Sequence, residues 1–209
     1  MRRLALLGLV LAGLMASGAL AATDPLPPGP KPRPPGGLAA PPPPGIAIFG
    51  PEDWGYRMEV PSDWLVRVPE PYTVVMSGAG GTDGYFAPIA VQNVKAPRPE
   101  DPEGAAAEVL AAHVKAMQAR HDTLRVVQEN AFRPPEGAAD GGRTDLPGGR
   151  QVVMDWRGQD GILRQWAVAR PRPDAAVVHL WTYSAERTLF HIRLPEARAV
   201  LDGWTLVTE

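Results

Sequence analysis

Histidine is the first residue type to consider for metal or proton chemistry in this chain, which has four histidines and no cysteine. His113 and His121 lie eight residues apart in a predicted helix, a separation of about two turns. Two rings at that spacing cannot share a metal ion unless a third ligand comes from elsewhere in the fold. Either residue is more typical of a packed or solvated helix position than of a ligand, and we predict no metal site.

His179 is the other candidate for chemistry. It lies in the run of residues 175–183, where both faces of a predicted strand are largely apolar. A histidine on such a strand is either a pocket residue or a core residue that is hydrogen-bonded through its ring nitrogens. The core interpretation is the more frequent of the two, and we predict it for His179.

A glycine-rich stretch at residues 77–84 suggests a loop that cradles a phosphate. Gly78 and Gly80 begin such a pattern, but Asp83 stands in place of a third glycine, and no helix pattern opens after it. We therefore predict a flexible hairpin loop and no nucleotide site.

Motifs of the common enzyme classes are absent from the sequence. It contains no HExxH, P-loop, EF-hand or nucleophile-elbow motif, and cysteine chemistry is excluded. A serine, a histidine and an aspartate brought together only by folding would escape such a search. We predict that the protein is not an enzyme and has no catalytic, cofactor-binding or metal-binding residues. The sequence leaves its binding residues unidentified.

The N-terminus has the pattern of a secretory signal peptide. Arg2 and Arg3 precede an uncharged, mostly apolar run at residues 4–22, which contains the small-residue ending Ala19-Leu20-Ala21. We predict a signal peptide over residues 1–21, and therefore a periplasmic or secreted protein that is not inserted in a membrane after cleavage. The alternative is an uncleaved anchor, since the run is about long enough to span a bilayer as a helix. Without cysteine, the chain carries no disulfide and no lipid-modified cysteine.

Export is expected to produce a mature N-terminus at Ala22, because the Ala-Leu-Ala ending matches the small residues that precede signal-cleavage sites. N-terminal sequencing or the intact mass of the exported protein tests this. A full-length product held in the membrane would contradict it and support the anchor.

Residues 22–45 are predicted to form a linker. Residues 24–44 hold 11 of the 25 prolines and few large apolar side chains, so they cannot bury a core. Such a segment is expected to be extended, with polyproline II character. Residues 32–35 also fit a ligand of proline-recognition modules, but we favour a tether that separates the following domain from the N-terminus.

Charge argues against a nucleic-acid partner. Without the two arginines of the predicted signal peptide, 19 basic residues remain against 23 acidic ones. The arginines are scattered among acidic residues and form no basic stripe, so we do not predict nucleic-acid binding.

Hydrophobic periodicity predicts one α+β domain over residues 46–209. Predicted strands occupy residues 56–60, 64–68, 73–76, 86–94, 150–157, 162–170, 175–183 and 204–207. Residues 103–120 are predicted to be helical, with an apolar stripe of Val109, Leu110, Val114 and Met117. Residues 124–132 lead from this helix to a loop. A second helix is predicted to begin at a Ser184 cap, to break or kink at Pro195, and to end at Asp202-Gly203.

The sequence Pro61-Ser62-Asp63-Trp64 joins the first two predicted strands. Proline cannot donate to a sheet ladder, and serine and aspartate favour turns. We predict a tight corner of the scaffold, after which Trp64 folds back as a buried anchor. Trp204 is predicted to be a second anchor, less secure because it lies closer to a chain end that can fray.

Three short motifs occur within this order of elements: VPSDW at residues 60–64, WTYSAE at 181–186 and LDGW at 201–204. Together with the order itself, they resemble the PsbP-like superfamily, and within it the exported bacterial DcrB-type proteins. The resemblance covers residues 46–207 and implies an αβα sandwich around a mainly antiparallel sheet, in which Pro61 and Trp64 serve structure. Members serve as photosystem stabilisers, a GTPase-associated factor and periplasmic accessory proteins, so this fold does not give the function.

The predicted function is that of a non-enzymatic exported accessory or binding protein of the cell envelope. We expect a monomer that meets an envelope protein, whose identity the sequence does not reveal. The alternative is a periplasmic small-molecule or metal carrier that uses the concave side of the sheet.

Overall fold

A computed structural model of the chain describes residues 45–207. The predicted signal peptide, residues 1–21, and the predicted linker up to residue 44 lie outside the described residues. The strands are β1 Ile46–Phe49, β2 Tyr56–Pro61, β3 Leu65–Glu70, β4 Thr73–Ser77, β5 Ile89–Lys95, β6 Arg125–Phe132, β7 Gly149–Arg157, β8 Ile162–Pro171, β9 Val177–Glu186 and β10 Thr205–Leu206. The helices are α1 Pro102–Arg120 and α2 Arg187–Asp202, with a short 3₁₀ helix at Asp83–Phe86.

Seven strands form one antiparallel sheet in the order β3-β4-β5-β9-β8-β7-β6. The predicted β7–β8 hairpin is confirmed, and the Gly158 N–H donates to the Gly161 carbonyl at its turn (2.8 Å). The predicted inner strand is also confirmed, because β9 lies between β5 and β8. It is covered on both faces, which explains why nearly all of its residues are buried.

The two helices pack on opposite faces of this sheet. On one face, Ala106, Leu110 and Met117 of α1 pack against β7, β8 and β9. On the other face, α2 packs against β9, β8 and β2, and contributes Phe190 and Val200 to a second core cluster. The predicted α+β sandwich is therefore confirmed. Neither helix in the described part of the chain is long and apolar enough to cross a membrane.

A small antiparallel sheet, in the order β1-β2-β10, completes the second face. The predicted alternation of β2 is confirmed, with Tyr56, Met58 and Val60 buried and the residues between them exposed. The predicted C-terminal edge strand is also confirmed, because β10 pairs with β2. No sequence pattern predicted β1, the four-residue strand on the other side of β2.

The corner at Pro61 is confirmed as a turn, in which the Trp64 N–H donates to the Pro61 carbonyl (3.1 Å). It carries the chain from the small sheet to the large one, because β2 pairs with β1 and β10 whereas β3 pairs with β4. Trp64 is only partly buried, so its prediction as the more secure anchor is wrong. Trp204, at 1% exposure, is the buried one of the two.

The predicted start of α2 is wrong. Ser184 lies inside β9, and the side chain of Glu186 caps the helix by accepting hydrogen bonds from the Thr188 N–H (2.8 Å) and the Leu189 N–H (3.2 Å). The helix also continues through Pro195 without a break. Both of its halves are held against the same core, which offsets the lost backbone hydrogen bond and the ring clash of an internal proline.

Candidate functional site

The two helical histidines are not brought together. His113 Nε2 lies 2.6 Å from Gln165 Oε1, and because an amide oxygen only accepts, Nε2 is the donor. Burial lowers the pKa of His113, and the hydrogen bond to Gln165 opposes that effect. The ring of His121 stacks on Trp156, with centroids 5.1 Å apart. Among residues 45–207, no group of three or more His, Cys, Asp or Glu side chains is placed to hold a metal ion.

His179 is a core residue, as predicted. Its side chain is fully buried, and His179 Nδ1 lies 2.7 Å from Asn93 Oδ1. The Asn93 amide in turn donates to the Trp54 carbonyl (2.9 Å). The ring therefore ties β9 to β5 and to the aromatic residues beneath the small sheet.

Ser184 belongs to the same hydrogen-bond network as His113, but the histidine does not contact its hydroxyl. Ser184 Oγ accepts from the Gln165 amide (2.8 Å), and Gln165 stands between it and His113. A serine nucleophile needs direct contact with its base. The arrangement therefore connects α1 to the sheet through hydrogen bonds and has no nucleophile–base contact.

The glycine-rich loop at residues 77–84 connects the antiparallel strands β4 and β5, as predicted for a hairpin loop. It closes on itself, since the Gly78 N–H donates to the Gly84 carbonyl (3.1 Å). A single 3₁₀ turn follows, Asp83–Phe86, instead of the α-helix that a phosphate-binding loop precedes.

An uncovered part of the large sheet is a better candidate. Residues that face each other in antiparallel strands place their side chains on the same face. The register of β6 and β7 thus aligns three pairs in rows: Arg125 with Asp155, Gln128 with Val153, and Asn130 with Gln151. On β8, the rows continue into Arg164, Trp166 and Val168.

These rows lie on the face that carries α2, because Trp166 and Val168 share a core cluster with Phe190. The helix covers β8 and β9, whereas Gln128 and Asn130 on β6 remain exposed. A bulge between Val126 and Gln128 allows Arg125 and Gln128, three residues apart, to share this face.

We call this uncovered surface the groove. It is bordered by β6 on one side and α2 on the other, where the Arg198 guanidinium lies over the Trp166 ring at 5.6 Å. The Trp166 indole donates to Gln151 Oε1 (3.0 Å) and fixes that amide at the base of the groove. The groove is lined by Arg125, Gln128, Asn130, Gln151, Val153 and Arg198.

A cleft of about 190 Å³ lies at the end of the groove. Phe132 and Gly149, the next pair of the same face after Asn130 and Gln151, line it. A Cβ on Gly149 would lie 2.5 Å from the Ala169 carbonyl oxygen, so glycine permits the close approach of β7 to β8 here. Arg133 and Arg143 from the loop before β7 also line the cleft.

A buried ion pair holds the loop that forms the cleft. Asp140 Oδ2 accepts from Arg170 Nη2 (2.7 Å) and from the Leu206 N–H (2.8 Å), which joins the loop to β8 and β10. Burial lowers the pKa of Arg170, and its ion pair with Asp140 opposes that effect. Asp140 and Arg170 are thus structural residues that set the shape of the cleft.

The exposed polar groups of the groove are unused. Within residues 45–207, the side chains of Arg125, Gln128, Asn130 and Arg198 make no hydrogen bond or ion pair. Exposed amides and guanidiniums on a rigid sheet can bind a ligand by hydrogen bonds and charge. The arrangement fits non-covalent binding.

Sequence reasoning missed the groove. The available signal was the run of exposed polar residues in β6, where polar side chains occur at both odd and even positions. That pattern is typical of an edge strand with little cover on either face. It does not show which of the two faces a helix leaves open.

Solved structures share this architecture. The chain is similar to cyanobacterial PsbP (CyanoP) from Synechocystis sp. PCC 6803, with a TM-score of 0.57 and 12% identity, over 82% of this chain and 96% of that chain. It is also similar to the Ran-binding protein Mog1p of Saccharomyces cerevisiae, with a TM-score of 0.51 and 7% identity, over 78% of this chain and 95% of that chain.

No protein-family model matches the sequence, and no curated protein matches it. The structural likeness shows a PsbP-like fold, as the motifs indicated. The narrower resemblance to DcrB-type proteins stays a prediction.

Proposed function

We propose that this chain is an exported, non-enzymatic binding protein of the cell envelope, which contacts a partner protein through the groove. Residues 1–21 would direct export, and residues 22–45 would tether the PsbP-like domain, residues 46–209. The observation that carries the proposal is the groove. It is a surface on which the exposed side chains of Arg125, Gln128, Asn130 and Arg198 make no hydrogen bond or ion pair among the described residues.

Two further points support a protein partner over a small ligand. The cleft of about 190 Å³ is smaller than the roughly 300 to 1,000 Å³ of most small-molecule sites. Mog1p, which is similar in fold, is a Ran-binding protein. A PsbP-like fold can thus present a protein-binding surface, although the partner itself does not carry over between such distant proteins.

Site-specific photo-cross-linking tests the proposal. A photoreactive phenylalanine analogue introduced at Asn130 is expected to cross-link to one envelope protein in the native host, because this exposed side chain lies at the centre of the groove. Lys115, which is exposed on α1 on the opposite face of the sheet, is the control position.

The same cross-linked protein should appear with the probe at Gln128 and be absent with the probe at Lys115. Cross-links of equal yield at all three positions, or none at Asn130 and Gln128, would contradict the proposal. Identification of the adduct by mass spectrometry would name the partner.

A further inference from the structure

We infer that the partner enters the groove as an extended, acidic polypeptide segment. This inference rests on the proposed function, since it specifies the chemistry of the partner at the same surface. It is carried by the balance of charge in the groove, by the spacing of its amides, and by the size of the cleft.

Charge is the first argument. Arg125 and Arg198 are exposed, and neither makes an ion pair among the described residues. The carboxylate beside the groove is already bound, since Asp155 accepts two hydrogen bonds from Arg164 (2.7 and 2.8 Å). At the cleft, Asp140 is likewise bound by Arg170. The residues that line the groove therefore include two positive charges without an ion pair and no acidic side chain, although the whole chain has a net charge of −2. Carboxylates of a partner would complement it.

Spacing is the second argument. Gln128 and Asn130 are two residues apart on β6, so their side chains repeat at about 6.6 Å, which is the same-face repeat of any extended chain. From Gln128 to Phe132, β6 pairs with β7 without a further register shift. The outer side of β6 is an edge of the sheet. An extended segment along this edge could bond to its backbone and place alternate side chains over the groove.

The cleft is the third argument. It continues the groove beyond Asn130, and Arg133 and Arg143 line it. Arg143 is already bound to Asp145 (2.6 Å), so Arg133 is the cation that remains for a ligand. Arg133 has only a weak, exposed ion pair with Glu103 at 3.7 Å. A volume of about 190 Å³ suits one side chain or a chain terminus. We assign the cleft to a carboxylate at the end of the bound segment.

Peptide binding to the full chain tests the inference. The probe is a fluorescein-labelled peptide of alternating glutamate and threonine, and the matched probe has glutamine in place of glutamate. We expect the glutamate peptide to bind more tightly, and the preference to weaken as salt screens the charges. The double variant Arg125→Gln, Arg198→Gln is expected to weaken binding of the glutamate peptide by about tenfold.

The matched control is Arg57→Gln, Lys115→Gln, which removes two exposed positive charges outside the groove and should leave the affinity within about twofold of the wild type. Denaturant unfolding of each variant confirms that it is folded.

Equal affinity for both peptides, or equal effects of the two double variants, would overturn the inference. Binding to phosphatidylglycerol vesicles without binding to the glutamate peptide would also overturn it, in favour of a membrane surface. If Asn130 cross-links to a partner while the peptides show no preference, the acidic chemistry is wrong and the proposed function stands.

Discussion

Trp204→Ala is expected to lower the free energy of unfolding by about 3 to 5 kcal/mol, whereas Trp64→Ala should cost only about 1 to 2 kcal/mol. Trp204 is 1% exposed, while Trp64 is only partly buried. A domain of this size is stable by about 5 to 15 kcal/mol, so the first loss is a large part of the total. The chain has no disulfide that could compensate.

The contacts of Trp204 explain the size of this effect. Its ring packs edge-on against Tyr56, with centroids 6.2 Å apart, and the Arg170 guanidinium lies 4.8 Å from its centroid. Its carbonyl oxygen accepts a hydrogen bond from Arg170 Nη1 (3.0 Å). Truncation would leave a cavity between the two sheets and remove the cation–π contact of a buried charge.

Urea unfolding of the two variants beside the wild type measures the difference, with the m-value as a check that the transition stays two-state. Trp204→Phe provides a milder change if Trp204→Ala does not fold. Its free energy of unfolding should be lower than that of the wild type and no lower than about that of Trp64→Ala. An equal or larger loss for Trp64→Ala would contradict the burial of these two residues.

Acid is expected to destabilise the protein through His179. Burial, and to a smaller extent the charges of Arg170 and Arg172, lower the pKa of His179 to about 3, and the charge of Asp174 opposes them. In an unfolded chain, the pKa of histidine is about 6.5. Between these two values the unfolded state binds a proton that the folded state does not, so the free energy of unfolding falls as the pH falls from about 6.5 to about 3. Below about 3, both states are protonated and the loss levels off.

The geometry of the ring explains this depressed pKa. Asn93 Oδ1 accepts the hydrogen of Nδ1, so the added proton must go to Nε2. His179 Nε2 is buried and has no hydrogen-bond partner among the described residues. The edge-on ring of Tyr56 lies 5.2 Å away and that of Trp204 6.1 Å away, so the cation would form among buried aromatic rings, which disfavours the charged form.

Unfolding curves measured between pH 7 and pH 4 test this dependence. Each pH unit within the window should cost up to about 1.4 kcal/mol in the wild type, in addition to the contribution of the carboxylates. His179→Gln retains the carboxylates and removes the histidine proton, so its stability should fall less steeply with acid. His121→Gln, at a partly exposed ring, is the control and should resemble the wild type more closely. Parallel slopes for the wild type and His179→Gln would contradict the assignment.

Most of the fold could be predicted because its signals are local. The alternation of β2, the apolar stripe of α1 and the turn between β7 and β8 each depend on residues close in sequence, and each was found at the predicted place. The errors have a common physical cause. Ser184 suits a helix cap by residue type, but pairing with β8 extends β9 past it, and Glu186 takes the role. Pro195 disfavours a helix interior locally, and packing on the core outweighs that preference.

The candidate site depends on contacts between distant residues. Arg125 and Asp155 come together through strand pairing, and Asp140 and Arg170 through a loop that folds back on the sheet. Neither contact leaves a periodic pattern in the sequence.

The sequence by itself determined most of the elements, the core character of His179 and the corner at Pro61, because hydrophobic periodicity and backbone preference act over a few residues. Only the tertiary structure decided that Trp204 and not Trp64 is the buried anchor, and that α2 leaves β6 and β7 open to form the groove. The physical reason is that burial and exposure are properties of surfaces assembled from remote segments. The same polar strand lines an exposed groove or lies in the interior, depending on where a helix packs against the sheet.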